Sequence, residues 1–215
     1  PPGQILRNPP GLECPPGLYC SVGSVVGTPC PAGRYQPSTL AGSPTDCLQC
    51  PARFACPTGS ITPVPCQAGH FCAGSTETPT PDNEFPSQGG VCPAGSFCNS
   101  TVSAPALCPA GRYSNTTGRA ECDLCPIGTF CSGVGTVVPP PCSSGGYCPT
   151  NGMSTPQLCP VGTYQPLDGA VAVSDCVSCD SGKYCGTQGL SAPTANCSAG
   201  YYCIGGAAAP TGGDG

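Results

Sequence analysis

Sulfur dominates the chemistry open to this sequence. Of its 215 residues 22 are Cys. Three C-x-x-C pairs, Cys47–Cys50, Cys122–Cys125 and Cys176–Cys179, have a spacing shared by zinc sites and thioredoxin-like exchange centres. An acid precedes each pair: Asp46, Glu121 and Asp175. Those carboxylates suit a calcium ion, a turn, or charge pairing with Arg34 and Arg112 of the same loops. A turn or charge-pairing role is the expectation. The single His, His70, sits inside CQAGHFC with no recurring Ser, thiolate or carboxylate around it. It reads as a surface or packing residue. No phosphate loop, nucleophile elbow or carboxylate pair is present, so the expectation is no catalytic residue, no cofactor and no metal.

The company of these cysteines decides their chemistry. They share the chain with 30 Pro and 32 Gly, only 8% of residues are charged, and Trp is absent. An ordinary domain has about 25% charged residues and Gly near 7%. A large hydrophobic core and long helices are therefore excluded. A chain so poor in burial is held by covalent cross-links. The even cysteine count permits full pairing, and that many thiols point to an oxidising, extracellular compartment. The C-x-x-C pairs accordingly read as structural disulfides. A net charge of −5, with six basic residues, argues against nucleic acid or an anionic membrane as partner. No run of about 18 apolar residues occurs, so no membrane span is expected in this chain. It reads as a mature or truncated piece of a longer protein.

The cysteines fall into repeats. C-x5-C occurs from Cys14, Cys50, Cys66, Cys92, Cys125, Cys142, Cys179 and Cys197. All but CPARFAC, from Cys50, carry Gly at the third position and an aromatic before the second Cys. A second element, C-P-x-G-x-Y followed by a polar loop, an acid and C-x-x-C, begins at Cys30, Cys108 and Cys159. Pro after Cys suppresses helix, Gly allows a tight turn, and the aromatic supplies one sizeable apolar side chain per repeat.

The expected fold class is small disulfide-rich repeats of short β-hairpins and turns, with little or no helix, as elongated tandem modules. Only Leu167–Val173 invites a helical reading. The expected division is an N-terminal half-unit over 1–29, a cysteine-rich repeat over 30–72, and a Pro/Thr-rich linker over 73–91. A half-unit over 92–107 follows, then repeats over 108–148 and 149–203, and a flexible tail over 204–215.

The pattern C-P-x-G-x-Y…C-x-x-C-P-x-G-x-[FY]-C resembles the ephrin-receptor-like cysteine-rich repeat, from about Cys14 to Cys203. That repeat is related in layout to the cysteine-rich domains of tumour necrosis factor receptors. The resemblance implies a pairing of first with second, third with fifth and fourth with sixth cysteine. It gives Cys30–Cys47, Cys50–Cys66 and Cys56–Cys72, then Cys108–Cys122, Cys125–Cys142 and Cys131–Cys148, and last Cys159–Cys176, Cys179–Cys197 and Cys185–Cys203. Local Cys14–Cys20 and Cys92–Cys98 bridges complete the set. The C-x5-C spacing is longer than the receptor family's, so each such segment has closure on itself as the alternative.

N-glycosylation sequons lie at Asn99, Asn115 and Asn196. The function expected is a non-enzymatic extracellular structural glycoprotein, a segment of a fibre, surface appendage, coat or matrix. In its cysteine-rich, glycosylated character the chain is similar to mastigoneme-like proteins. The alternative is a cysteine-rich receptor or adhesion ectodomain that binds a protein ligand. The implied partners are further copies, other extracellular structural proteins, and glycans.

Overall fold

The computed structural model of the chain describes residues 13–84, 88–100 and 102–212. Its local structure follows from a short motif that opens on a cysteine. At Cys14 the chain turns at once, and the Leu18 N–H donates to the Pro15 carbonyl (3.3 Å). The third residue of that turn, Gly17, has φ +82°, which a type II turn requires there. The same turn recurs at Gly33, Gly111, Gly128, Gly145, Gly162 and Gly182. Arg53 holds this position in CPARFAC at φ +77°. There the side chain bears a backbone strain that Gly avoids.

After most of these turns a strand of two or three residues meets a second strand in an antiparallel hairpin; after Gly128 a single antiparallel bridge, Thr129 with Pro141, takes its place. Leu18–Tyr19 pairs with Thr28–Pro29, Arg34–Tyr35 with Leu48–Gln49, Phe54–Ala55 with Val64–Pro65, and His70–Cys72 with Gly89–Val91. Further along, Arg112–Tyr113 pairs with Asp123–Leu124, Gly146–Tyr147 with Gln157–Leu158, Thr163–Tyr164 with Val177–Ser178, and Lys183–Tyr184 with Ala195–Asn196. No α-helix occurs among the described residues; single 3₁₀ turns stand at Pro44–Asp46 and Val173–Asp175. The fold is thus a disulfide-rich hairpin repeat. The helical reading of Leu167–Val173 does not hold: 167–172 are turn, bend and irregular backbone, and only Val173 enters the second 3₁₀ turn.

Hairpins this short are unstable alone, and the cysteines supply what is missing. All 22 are bonded, and all but Cys20, Cys176 and Cys197 are buried. The aromatics of the repeat are only half-buried, and Tyr202 is exposed. Cystine, not aromatic packing, therefore fills the interior.

The bridges correct the receptor-type layout. Cys50 bonds Cys56, Cys66 bonds Cys72, Cys125 bonds Cys131, Cys142 bonds Cys148, Cys179 bonds Cys185 and Cys197 bonds Cys203. The implied pairs Cys50–Cys66, Cys56–Cys72, Cys125–Cys142, Cys131–Cys148, Cys179–Cys197 and Cys185–Cys203 do not form. The reason is local. The Gly turn and the short strand after it bring the two ends of C-x5-C together, with Cα atoms 5.8 Å apart at Cys50–Cys56. That separation suits a disulfide. Cys14–Cys20 and Cys92–Cys98 close in the same way. Cys30–Cys47, Cys108–Cys122 and Cys159–Cys176 span longer loops. In those three the residue six places after the opening Cys is Gln36, Ser114 or Gln165. With no thiol there, the opening Cys reaches forward to the Cys three places before the next motif.

One module per bridge is therefore the true repeat. Modules open at Cys14, Cys30, Cys50, Cys66, Cys92, Cys108, Cys125, Cys142, Cys159, Cys179 and Cys197. The expected half-units at Cys14 and Cys92 are modules like the rest, and each expected long repeat holds more than one. The chain divides into two compact units, 1–106 with 117–121, and 107–116 with 122–215. The division does not fall in 73–91. The described part of that stretch is folded: Thr76 is buried with its Oγ1 donating to the Gln88 carbonyl, and Gly89–Val91 forms a strand. It is a long loop of the Cys66 module and not a linker. Residues 204–212 are likewise folded, with Gly206 N–H donating to the Cys179 carbonyl and Cys185 N–H to that of Ala207 (2.9 and 2.8 Å). The ends of the expected half-unit and tail, 1–12 and 213–215, lie outside the described residues.

Candidate functional site

The most elaborate feature of this structure is the joint between consecutive modules. It is made by main chain at fixed positions. From the Cys159 module to the Cys179 module, Gly162 donates its N–H to the Cys185 carbonyl and accepts from the Cys179 N–H (both 2.9 Å). Gln165 N–H donates to the Leu190 carbonyl (2.9 Å), and Gly189 N–H to the Cys159 carbonyl (3.0 Å). The same set of bonds, shifted by one module, joins Cys14 to Cys30, Cys125 to Cys142 and Cys142 to Cys159. In these joints the backbone polar groups that the turn leaves over are satisfied by the next module.

A second contact reaches two modules on. A Cβ added to Gly162 would lie 2.5 Å from the Gly206 carbonyl oxygen. Gly17 meets Gly59, and Gly33 meets Ser75, at the same 2.5 Å. Gly69 with Gly118, Gly111 with Gly152 and Gly145 with Gly189 repeat the arrangement. Only a residue without a side chain admits a backbone this close. A series of positive φ recurs nine or ten residues after the opening Cys in the modules other than that of Cys92, and it includes the carbonyl partners. Leu40 (φ 72°) and Ser75 (φ 51°) belong to it beside the glycines.

The residues expected to do chemistry serve this frame. Both cysteines of each C-x-x-C are bonded, and to different partners: Cys47 to Cys30 and Cys50 to Cys56, for example. No thiolate pair is left in these motifs for zinc or exchange. Asp46 Oδ2 accepts from the N–H groups of Gly42 and Ser43 (2.8 and 2.9 Å). Asp175 Oδ2 does the same for Val171 and Ala172 (2.8 and 2.9 Å). These two acids shape the turn. Arg34 and Arg112 donate from Nη1 to backbone, to the Cys47 and Cys122 carbonyls (2.7 and 2.8 Å). His70 stands in a strand, half-buried, with Nδ1 lacking a partner. Among the described residues no three His, Cys, Asp or Glu side chains group as a metal site.

The sequons Asn99, Asn115 and Asn196 are all exposed. Asn115 borders a cleft of about 210 Å³ shaped by Tyr113, Thr129, Val137 and Pro139. Sequence reasoning missed Gln36 and Gln165. Both are buried; their Nε2 groups donate to the Asp46 and Asp175 carbonyls (3.0 and 2.7 Å), and their Oε1 atoms accept from Ser38 and Leu167 N–H (both 3.1 Å). Aligning all modules on Cys-x-x-Gly-x-aromatic would have revealed them, six places on, where the other modules carry Cys or Ser114.

Eleven disulfides and no free cysteine fit a protein of an oxidising, extracellular compartment. No helix among the described residues is long and apolar enough to cross a membrane. No protein-family model matches the chain, and no curated protein matches it.

Proposed function

We propose that this chain is a non-enzymatic structural glycoprotein, a disulfide-stapled repeat segment of an extracellular fibre, surface appendage, coat or matrix. The observation that carries the proposal is the joint between modules. Its hydrogen bonds run from backbone to backbone, so neighbours hold one another whatever their loops contain. Each module adds a covalent staple, and within each compact unit the joints repeat the same contacts, as quasi-linear repeat proteins do. Loops then vary freely and carry sugars, with exposed Asn115 the foremost site. The resemblance to ephrin-receptor-like repeats, carried by C-P-x-G-x-Y…C-x-x-C-P-x-G-x-[FY]-C, is compatible with an extracellular role.

Fractionating the source material tests this. The chain is expected in an insoluble extracellular fraction, with a mass that falls on enzymatic removal of N-glycans. Recovery as dispersed monomers bound to a soluble protein would overturn the proposal in favour of a receptor or adhesion ectodomain.

A further inference from the structure

We propose that the cleft beside Asn115 seats the first N-acetylglucosamine of an N-glycan carried on that asparagine, so that the sugar clamps the Cys108 module to the Cys125 module. This deepens the glycoprotein reading above and rests on it.

The asparagine is aimed by its neighbours. Ser114 is fully buried; its N–H donates to the Thr136 carbonyl across the module joint (3.1 Å), and its Oγ donates to the Thr116 carbonyl (2.9 Å). These bonds fix the chain around Asn115, which is itself exposed. Seven residues after the opening cysteine, the other two long-loop modules carry Pro37 and Pro166; this one carries the sequon Asn115-Thr116-Thr117. Tyr113 and Asn115, two residues apart, both border the cleft, because the Ser114 side chain between them turns inward.

The cleft suits one neutral sugar ring. It holds about 210 Å³, and every residue around it belongs to the second compact unit. Tyr113, half-buried at the end of the strand Arg112–Tyr113, offers an aromatic face to the C–H groups of a pyranose. Val137 and Pro139, from the Cys125 module, offer apolar contact to an N-acetyl methyl group. Thr129 Oγ1 donates to the Pro126 carbonyl (2.7 Å) and keeps lone pairs that accept from a sugar hydroxyl. No charged side chain borders the cleft. A sugar bonded to Asn115 is tethered at the rim, so little freedom is left to lose when it settles.

The place has a weakness that such a clamp offsets. Pro139, Pro140 and Pro141 have no N–H to give a hairpin. The return segment of the Cys125 module is held to its turn by Phe130 N–H donating to the Pro140 carbonyl (3.2 Å) and by the single bridge of Thr129 with Pro141. Val137 and Val138, just before the prolines, are exposed. A sugar resting on both Tyr113 and Val137 shields that segment from water and ties it to the module before it.

The test uses the full, oxidised chain secreted from a eukaryotic host in three forms. The first is fully glycosylated, the second is trimmed enzymatically to the first sugar, and the third is Thr117→Ala, which withholds the sugar but keeps Asn115. Asn115→Gln serves as a second bare form. The Phe130 amide is expected to exchange about tenfold more slowly in the two sugar-bearing forms than in the bare ones, and equally in the first two. Nuclear Overhauser contacts are expected between the Tyr113 ring and the first sugar. The proposal is overturned if Asn115 carries no sugar, if Phe130 exchanges alike with and without it, if the trimmed form behaves like the bare ones, or if the sugar makes no contact with Tyr113. A sugar on Asn115 that protects nothing removes the seat and leaves the structural reading intact; that reading fails separately, on a chain recovered as dispersed monomers.

Discussion

Replacing Gly162 by Ala puts a methyl group at the tightest point of the module joint. The residue keeps φ +83°, which costs any side chain about 1–2 kcal/mol. The new Cβ also sits 2.5 Å from the Gly206 carbonyl oxygen, which is backbone and cannot swing aside. Relief requires the strand to move off its neighbour, at the expense of the two hydrogen bonds Gly162 makes with Cys185 and Cys179. At about 1 kcal/mol net for each bond, the loss adds about 2 kcal/mol. Gly182→Ala is the control. It has the same φ, +82°, and equivalent bonds to Cys203 and Cys197, but open space where the Cβ would go. Native-state hydrogen exchange on dilute oxidised protein reads both. The Cys179 amide is expected to exchange at least about 100-fold faster in Gly162→Ala, and the Cys197 amide about tenfold faster in Gly182→Ala. Equal acceleration at the two sites would refute the claim that close backbone approach, and not φ alone, demands glycine here.

Two further outcomes follow from the bridges and their substitutes. Replacing Cys125 and Cys131 together by Ala should lower unfolding stability by about 2 kcal/mol, and replacing Cys159 and Cys176 by about 3, because the second pair closes the longer loop. Guanidinium midpoints rank the two; the reverse order would contradict the loop argument. Gln165→Leu strands the Asp175 carbonyl and the Leu167 N–H. It should cost about 1–3 kcal/mol, read as faster exchange of the Leu167 amide, and unchanged exchange would deny the glutamine its supporting role.

Much of this fold was legible in the sequence, for identifiable reasons. The Cys-Pro-x-Gly opening dictates a turn, and a turn followed by an aromatic gives a hairpin. The module itself was harder to see. Gln36, Ser114 and Gln165 replace the sixth-position cysteine, so counting C-x5-C split equivalent modules into two kinds of element. The backbone ignores that difference: Gly33 and Gly162 make the same joints as Gly17 and Gly145. The stretch 73–91 misled because its composition is that of a linker, whereas Thr76 and Gly89–Val91 tie it into its own module. The contacts between residues two modules apart left no trace beyond glycine itself, which is common throughout this chain.

Peptide mapping of the non-reduced protein tests the account most directly, because one local bridge per module is what makes the modules equivalent. The account predicts Cys50 joined to Cys56 and Cys66 to Cys72, with Cys30 joined to Cys47. Peptides linking Cys50 to Cys66 and Cys56 to Cys72 would contradict it.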